Sequence, residues 1–159
     1  MSDDLVILPD WLAAMSEWLR DQPEIVDLIV DRVYTVMPSR SKAFPLVIVT
    51  QITDPTATPF AHWAVRTLFQ FDVWGGPQSA TWTIAETIRA LLSQRFAGNA
   101  WDMTAGSIVA GKVTVGGIRR TTEDVVASLT EDGEEVNRAA PRASFDAAAV
   151  LHPGLSSGS

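Results

Sequence analysis

The sequence predicts an α+β fold, in which a mixed, mostly antiparallel sheet of about four strands carries helices packed on one face. Two observations predict it. Apolar residues recur at helical spacing near the N-terminus and again in the middle of the chain. Strand-like segments occur in consecutive pairs with no helix between them, which favours antiparallel pairing. The expected element order is helix, helix, strand, strand, helix, strand, strand.

Length and composition fit one globular domain. The chain has 159 residues, of which 47% are hydrophobic and 19% are charged, and a chain of this size buries roughly two thirds of the surface that it exposes when unfolded. We predict a single domain over residues 1–152 and a flexible tail over residues 153–159, because the tail is low in complexity. No apolar run approaches the ~20 residues that cross a bilayer, so no membrane partner is expected.

Several kinds of chemistry are excluded or disfavoured. The chain has no cysteine and only two histidines, His62 and His152, which rules out disulfides and thiolate metal sites. Gly75-Gly76-Pro77 opens a helix after a strand, but it lacks the spacing of a nucleotide-binding loop. With 12 basic residues against 19 acidic ones, a conventional nucleic-acid binder is also disfavoured. We therefore expect no metal, no cofactor and no enzymatic activity.

Two helices are predicted in the first part of the chain. Asp10 is a candidate N-cap for the first helix, and Pro23 is expected to end it. The apolar stripe of this helix comprises Leu8, Trp11, Leu12, Met15, Trp18 and Leu19. In the second helix, apolar residues from Ile25 to Val33 recur at helical spacing, and acids in its first turn are favoured by the helix dipole.

Two strands are expected next. Leu46–Ile52 is rich in β-branched residues, which predicts a buried strand. Residues 53–60 contain two prolines and three threonines, which is typical of a loop. Apolar residues alternate along Val65–Trp74, so this strand is expected to be fully buried on one face and partly covered on the other.

The second half of the chain predicts a helix and two further strands. The helical stripe comprises Trp82, Ala85, Ile88, Leu92 and Phe96, and Gly98-Asn99 is its C-terminal signal. A strand over Ile108–Val115 is expected to bend at Gly111 or at Gly116-Gly117. The last strand is expected over Arg142–Leu151.

An acidic stretch lies between these last two strands. It holds six carboxylates without an intervening lysine or arginine: Glu123, Asp124, Glu131, Asp132, Glu134 and Glu135. A charge run of this kind is typical of a solvated loop, and Asp132-Gly133 is a turn signal within it.

Several short segments carry a family resemblance through their order and spacing. Asp31-Arg32-Val33-Tyr34 is followed by Phe44-Pro45-Leu46-Val47 and then by Phe71-Asp72-Val73-Trp74. The helix around residues 85–92 and the strand that begins near Pro141 complete the series. In this order they resemble the tail terminator (tail completion) proteins of long-tailed bacteriophages. The resemblance covers roughly residues 5–151 and does not extend closely to residues 121–140.

The resemblance implies a ring, typically a hexamer, that caps the phage tail tube. Such a ring ends the polymerisation of the tail tube protein and offers a face to the head–tail connector. The implied partners are the chain itself, the major tail tube protein and the connector or stopper protein, while DNA passes through the ring without specific binding. The implied location is the tail–neck junction of the virion, after synthesis in the host cytoplasm.

Two sets of residues are candidates for contacts in such a ring. Aromatic residues are enriched at interfaces, and the candidate assembly contacts are Phe60, His62, Trp63, Trp74 and Trp101. Phe60 and Trp63 fit equally well as a cover for the sheet edge within one subunit. The acidic stretch is a candidate channel- or partner-facing segment, because carboxylates along a lumen would repel DNA phosphates.

Two other functions stay open at this point. Another neck component, such as a head completion or stopper protein, would also form a ring without catalytic motifs. A small ligand-binding or enzymatic α+β domain would instead need a deep pocket lined by convergent polar groups.

Overall fold

The computed structural model describes residues 10–36, 45–52, 65–75, 78–104, 106–129 and 135–153. For residues 122–129 and 135–140, this description covers the backbone and its pairing. Within these ranges the chain has an α+β fold with three helices and a mixed sheet of seven strands. The predicted fold class is confirmed, and the predicted number of about four strands is too low.

The chain contains the three predicted helices and three strands more than predicted. The helices are α1 (Trp11–Arg20), α2 (Pro23–Ile29) and α3 (Gln78–Leu91), and α3 continues into a π-helical turn over Leu92–Phe96. The strands are β1 (Val33–Tyr34), β2 (Leu46–Gln51), β3 (Val65–Trp74), β4 (Ala100–Met103), β5 (Gly106–Val115), β6 (Arg119–Leu129) and β7 (Glu135–Pro153). β1, β4 and β6 are the strands that the sequence patterns did not predict.

The N-terminal helices follow local signals. Asp10 caps α1 as predicted, because its Oδ1 accepts a hydrogen bond from the backbone N–H of Ala13 at 3.1 Å. Pro23 opens α2 instead of closing α1, and the first helical position tolerates its missing N–H. α2 ends before the predicted Val33, since Val30 has a φ of 58° that is outside the helical range. No helix in the described ranges is long and apolar enough to cross a membrane.

β7 pairs with three other strands of the sheet. The strand order is β1-β2-β3-β7-β5-β4, with β6 paired to β7, and among the described strands only β1 and β2 run parallel. The 19 residues of β7 pair with β3 along one edge, and with β5 and then β6 along the other. Its last residue is Pro153, opposite Ile108; residues 154–159 of the predicted tail lie outside the described ranges.

The helices cover one face of the sheet, as predicted, and the core lies between them and the sheet. Phe71 of β3 faces Phe145 of β7 in register, and their buried rings stack with centroids 5.1 Å apart. Trp18 of α1 packs edge-on against Phe96, with ring centroids 4.8 Å apart. Because each buried apolar side chain contributes roughly 1.5–3 kcal/mol, this layer supplies most of the hydrophobic stabilisation among the described residues, and a smaller cluster of Leu46, Ile48 and Trp74 lies apart from it.

The helix α3 departs from its predicted stripe at one residue. Ile84, Ala85 and Ile88 are buried, whereas the side chain of Trp82 is 39% exposed. Trp82 lies at the edge of the stripe, about 100° around the helix from the buried Thr81. The predicted C-terminal glycine is confirmed, since Gly98 follows the π-helical turn with a φ of 76°.

Candidate assembly site

β6 and β7 continue beyond the rest of the sheet. β3 pairs with β7 as far as Trp74 opposite Arg142, whereas β6 stays paired with β7 until Leu129 opposite Glu135. At ~3.4 Å per residue, this extension projects about 20 Å past the end of β3. We call residues 122–129 and 135–140 the ribbon. Among the described residues, no other strand pairs with either of its edges.

The ribbon contains part of the acidic stretch, which corrects the prediction of a loop. Glu123 and Asp124 belong to β6, and Glu135 is the first residue of β7. Glu131, Asp132 and Glu134, together with the predicted turn, lie outside the described ranges. Residues 122–140 carry six carboxylates and one arginine, so their net charge of -5 accounts for most of the -7 of the whole chain. The strand was missed because acidic residues disfavour strands on average.

The root of the ribbon is the place where β3 ends beside β7, at Arg142. An ion pair stabilises it on the sheet face away from the helices. Arg142 donates from Nε at 3.0 Å and from Nη2 at 2.8 Å to Oδ1 of Asp72. The same guanidinium lies 5.0 Å from the ring centroid of Trp74, and Gln70 Nε2 donates to the Asp72 carboxylate at 3.1 Å. Asp72 is 7% exposed, so this charge-assisted contact ties β7 to β3 where water has little access.

Two arginines of β6 add contacts on both faces of the root. The guanidinium of Arg120 lies 4.7 Å from the ring centroid of the exposed Trp82 on α3. On the opposite face, Arg119 Nη2 lies 3.7 Å from Asp146 Oδ1. A cation–π contact at an exposed site contributes about 0.5–1 kcal/mol, and an exposed ion pair about 0–1 kcal/mol. Both are weak contacts, which join β6 at the root of the ribbon to α3 and to β7.

We expect Asp72→Ala to lower the free energy of unfolding by about 2–4 kcal/mol, because Arg142 would keep its charge in a largely buried place without a carboxylate. This value is below that for a fully buried pair, since the Arg142 side chain is 23% exposed. Urea unfolding measures the loss. The matched control is Asp146→Ala, whose partner Arg119 is 60% exposed, and we expect it to cost less than about 1 kcal/mol. Equal losses in the two variants would contradict this role of Asp72.

The predicted aromatic contacts fall partly outside the described ranges. Phe60, His62 and Trp63 lie there, and their proposed contacts stay predictions. Trp74 is 8% exposed, beneath Arg142. Trp101 is half-buried, with its ring stacked on Phe96 at 6.2 Å and its Nε1 donating to the Phe96 carbonyl at 3.3 Å. Both rings therefore pack against other residues of the same chain, and their proposed contacts with a neighbour stay predictions.

A groove that the sequence patterns did not predict lies near the C-terminal end of β7, on the sheet face away from the helices. Its floor is formed by small residues of β7, Ala148 and Val150, and its volume is about 280 Å³. Arg66 of β3 and Lys112 of β5 line its two sides, and both are exposed. Within the described part of the chain, neither forms a salt bridge. We call this surface the basic groove.

A β-bulge places Lys112 in the basic groove. The register between β5 and β7 shifts by one residue between Ala110 and Val113, so Gly111 and Lys112 together face Val150. Glycine fits the close approach at the bulge, since a Cβ at Gly111 would lie 3.1 Å from the carbonyl oxygen of Val150 and the backbone would have to shift by a few tenths of an ångström. The register shift falls at Gly111, one of the two positions at which a bend is predicted, but its effect on Lys112 depends on pairing with a strand almost 40 residues away.

Metal-binding geometry is not found in the described residues, which hold no group of three or more histidine, aspartate or glutamate side chains placed around a possible ion. The ribbon and the basic groove stand out instead by their opposite charges. Comparison with protein-family models, with curated proteins and with solved structures finds no match for this chain.

Proposed function

We propose that this protein is a structural protein of a phage tail, which assembles into a ring, most simply a hexamer, that caps the tail tube, ends its polymerisation and joins it to the head–tail connector. The ribbon carries this proposal. A two-stranded hairpin is at best marginally stable alone in water, and unpaired strand edges are templates for pairing with another chain. A ribbon that leaves its own sheet is thus suited to contacts between chains.

The root of the ribbon supports the same role. Arg142 is paired with Asp72 on one side, and Arg120 is placed over Trp82 on the other. These contacts orient the ribbon before any partner arrives. Pre-orientation lowers the entropy that is lost on association, which favours a contact element over a freely moving loop.

The charge of the ribbon favours a ring over a symmetric dimer. In a two-fold dimer built on the ribbon, two copies of the same acidic segment would meet, and like charges at an interface cost several kcal/mol. A contact between different surfaces of neighbouring copies avoids this repulsion, and such contacts generate rings when the rotation closes.

The family resemblance of residues 31–34, 44–47 and 71–74 supports a position at the tail–neck junction of the virion. It supports the major tail tube protein and the connector or stopper protein as neighbours. An acidic surplus also suits a passage for DNA, since carboxylates repel phosphates and hinder sticking. Neither a catalytic step nor a cofactor is part of the proposed function.

The proposal is tested by the mass of the purified chain in solution, alone and with the tail tube protein of the same phage, followed by electron microscopy of virions. We expect a closed ring with a mass close to six times 17.2 kDa, seated directly on the tail tube. A ring seated on the portal side, away from the tube, would instead indicate a stopper or head completion protein. A monomer under all these conditions would overturn the proposal.

A further inference from the structure

We propose that the acidic ribbon of one copy docks in the basic groove of the next copy, where it lies between Arg66 and Lys112. This inference rests on the ring assembly proposed above and assigns the contact that links neighbouring subunits. The partner of the groove is thus a second copy of this chain, engaged through its ribbon.

The positions of the two surfaces require different copies. The ribbon and the basic groove lie at opposite ends of β7, which runs from Glu135 through the root at Arg142 to Val150 and beyond. Between Ala140 and Val150, an extended strand spans about 30 Å, and the ribbon continues away from the groove. Since a ribbon cannot fold back onto its own groove without breaking its pairing, the occupant of the groove comes from another copy.

The charges of the two surfaces are complementary. The ribbon carries Glu123, Asp124 and Glu135 against Arg138, a net charge of -2, whereas the groove presents two exposed cations, Arg66 and Lys112. Neither cation is neutralised by a carboxylate within the described residues. Opposite charges across an interface steer the encounter and select the partner surface, while ribbon–ribbon and groove–groove contacts are repulsive.

The shape of the groove also fits a strand. β3 and β5 flank β7, so the backbones on the two sides of the groove are about 10 Å apart, or two strand spacings. The floor is low because Ala148 and Val150 are small, and the long side chains of Arg66 and Lys112 rise beside it. A single strand edge can lie along such a floor between the two cations.

The absence of cysteine from the sequence allows this contact to be mapped by crosslinking. In a full-length chain with Thr114→Cys in the groove and Asp124→Cys in the ribbon, a short bifunctional thiol reagent is expected to give a ladder of linked copies. The largest species of the ladder would report the ring size. The control combines Thr114→Cys with Asp27→Cys, which replaces an exposed residue of α2, and we expect no ladder from it.

Charge reversal tests the same contact by its energetics. We expect Lys112→Glu to raise the concentration for half-assembly by about tenfold or more, and Glu123→Lys with Asp124→Lys to do the same. An equimolar mixture of the two variants is expected to assemble again, since every groove can then meet a complementary ribbon. The control is Arg89→Glu, which makes the same charge change on α3, where Arg89 pairs with Glu86. It should leave assembly unchanged.

The outcomes separate this inference from the proposed function. Rings that form at an unchanged concentration after both reversals, without a ladder, would overturn the docking of ribbon in groove and leave the ring itself in place. A wild-type chain that stays monomeric and unlinked at every concentration would overturn both. Retention of the wild-type chain on double-stranded DNA that Lys112→Glu abolishes would assign the groove to nucleic acid and also overturn the docking.

Discussion

Replacement of residues 123–140 by the dipeptide Asn-Gly is expected to abolish assembly while the monomer stays folded. Thr122 faces Pro141 in register, so a two-residue turn of the kind that Asn-Gly favours can close the shortened hairpin there. The residues that hold the root, Arg119, Arg120 and Arg142, all remain. The core cluster formed by the described residues also lies outside the replaced segment.

The two parts of this prediction need separate measurements. The Tm measured by circular dichroism is expected to change by only a few degrees. Sedimentation is expected to show a monomer at concentrations where the full chain forms rings. A matched control removes residues 154–159 instead and should keep its assembly. Undiminished ring formation by the shortened hairpin would contradict the role of the ribbon, and an unfolded monomer would contradict the independence of the core.

The second large effect is expected in the core. Phe145→Ala should lower the free energy of unfolding by about 3–5 kcal/mol, the usual cost of removing a buried phenylalanine ring. Phe145 is fully buried at the centre of the sheet and stacks on Phe71 with ring centroids 5.1 Å apart. The variant would leave a cavity beneath the helices and remove this stacking. Since domains are stable by only about 5–15 kcal/mol in total, the loss is a large share.

Urea unfolding with a common slope measures this loss. Ile52→Ala serves as the matched control, because Ile52 is 47% exposed and its truncation should cost less than about 1 kcal/mol. A loss below about 1 kcal/mol for Phe145→Ala would mean that this site is not the packed centre of the domain. The shortened hairpin is thus expected to lose assembly and keep its stability, whereas Phe145→Ala is expected to lose stability.

The sequence predicts correctly the elements that depend on residues close together along the chain. The cap at Asp10 depends on an N–H three residues away, and the alternation along Val65–Trp74 depends on the period of the strand itself. The stripe of α3 was predicted except at its edge, where Trp82 takes a cation–π partner from β6 instead of the core. The short strands β1 and β4 were missed because two to four residues are too few to show a period.

The candidate site was predicted only in its charge. The acidic stretch was recognised from its composition, but its strand character comes from pairing with β7, which overrides the low strand preference of acidic residues. The pair of Asp72 and Arg142 joins residues 70 positions apart, and no local pattern indicates it. The basic groove likewise exists only when Arg66 and Lys112 are brought to either side of β7.

The amino-acid sequence by itself therefore determined the fold class, the cap of the first helix, the buried face of β3 and the excess of carboxylates, since each depends on composition or on residues within a few positions. The tertiary structure alone decided that the acidic stretch forms a ribbon beyond the sheet, that arginines hold its root and that a bulge places Lys112 beside a groove. The physical reason is strand register, because a shift of one residue exchanges the faces on which side chains lie, and register is set by contacts between distant segments.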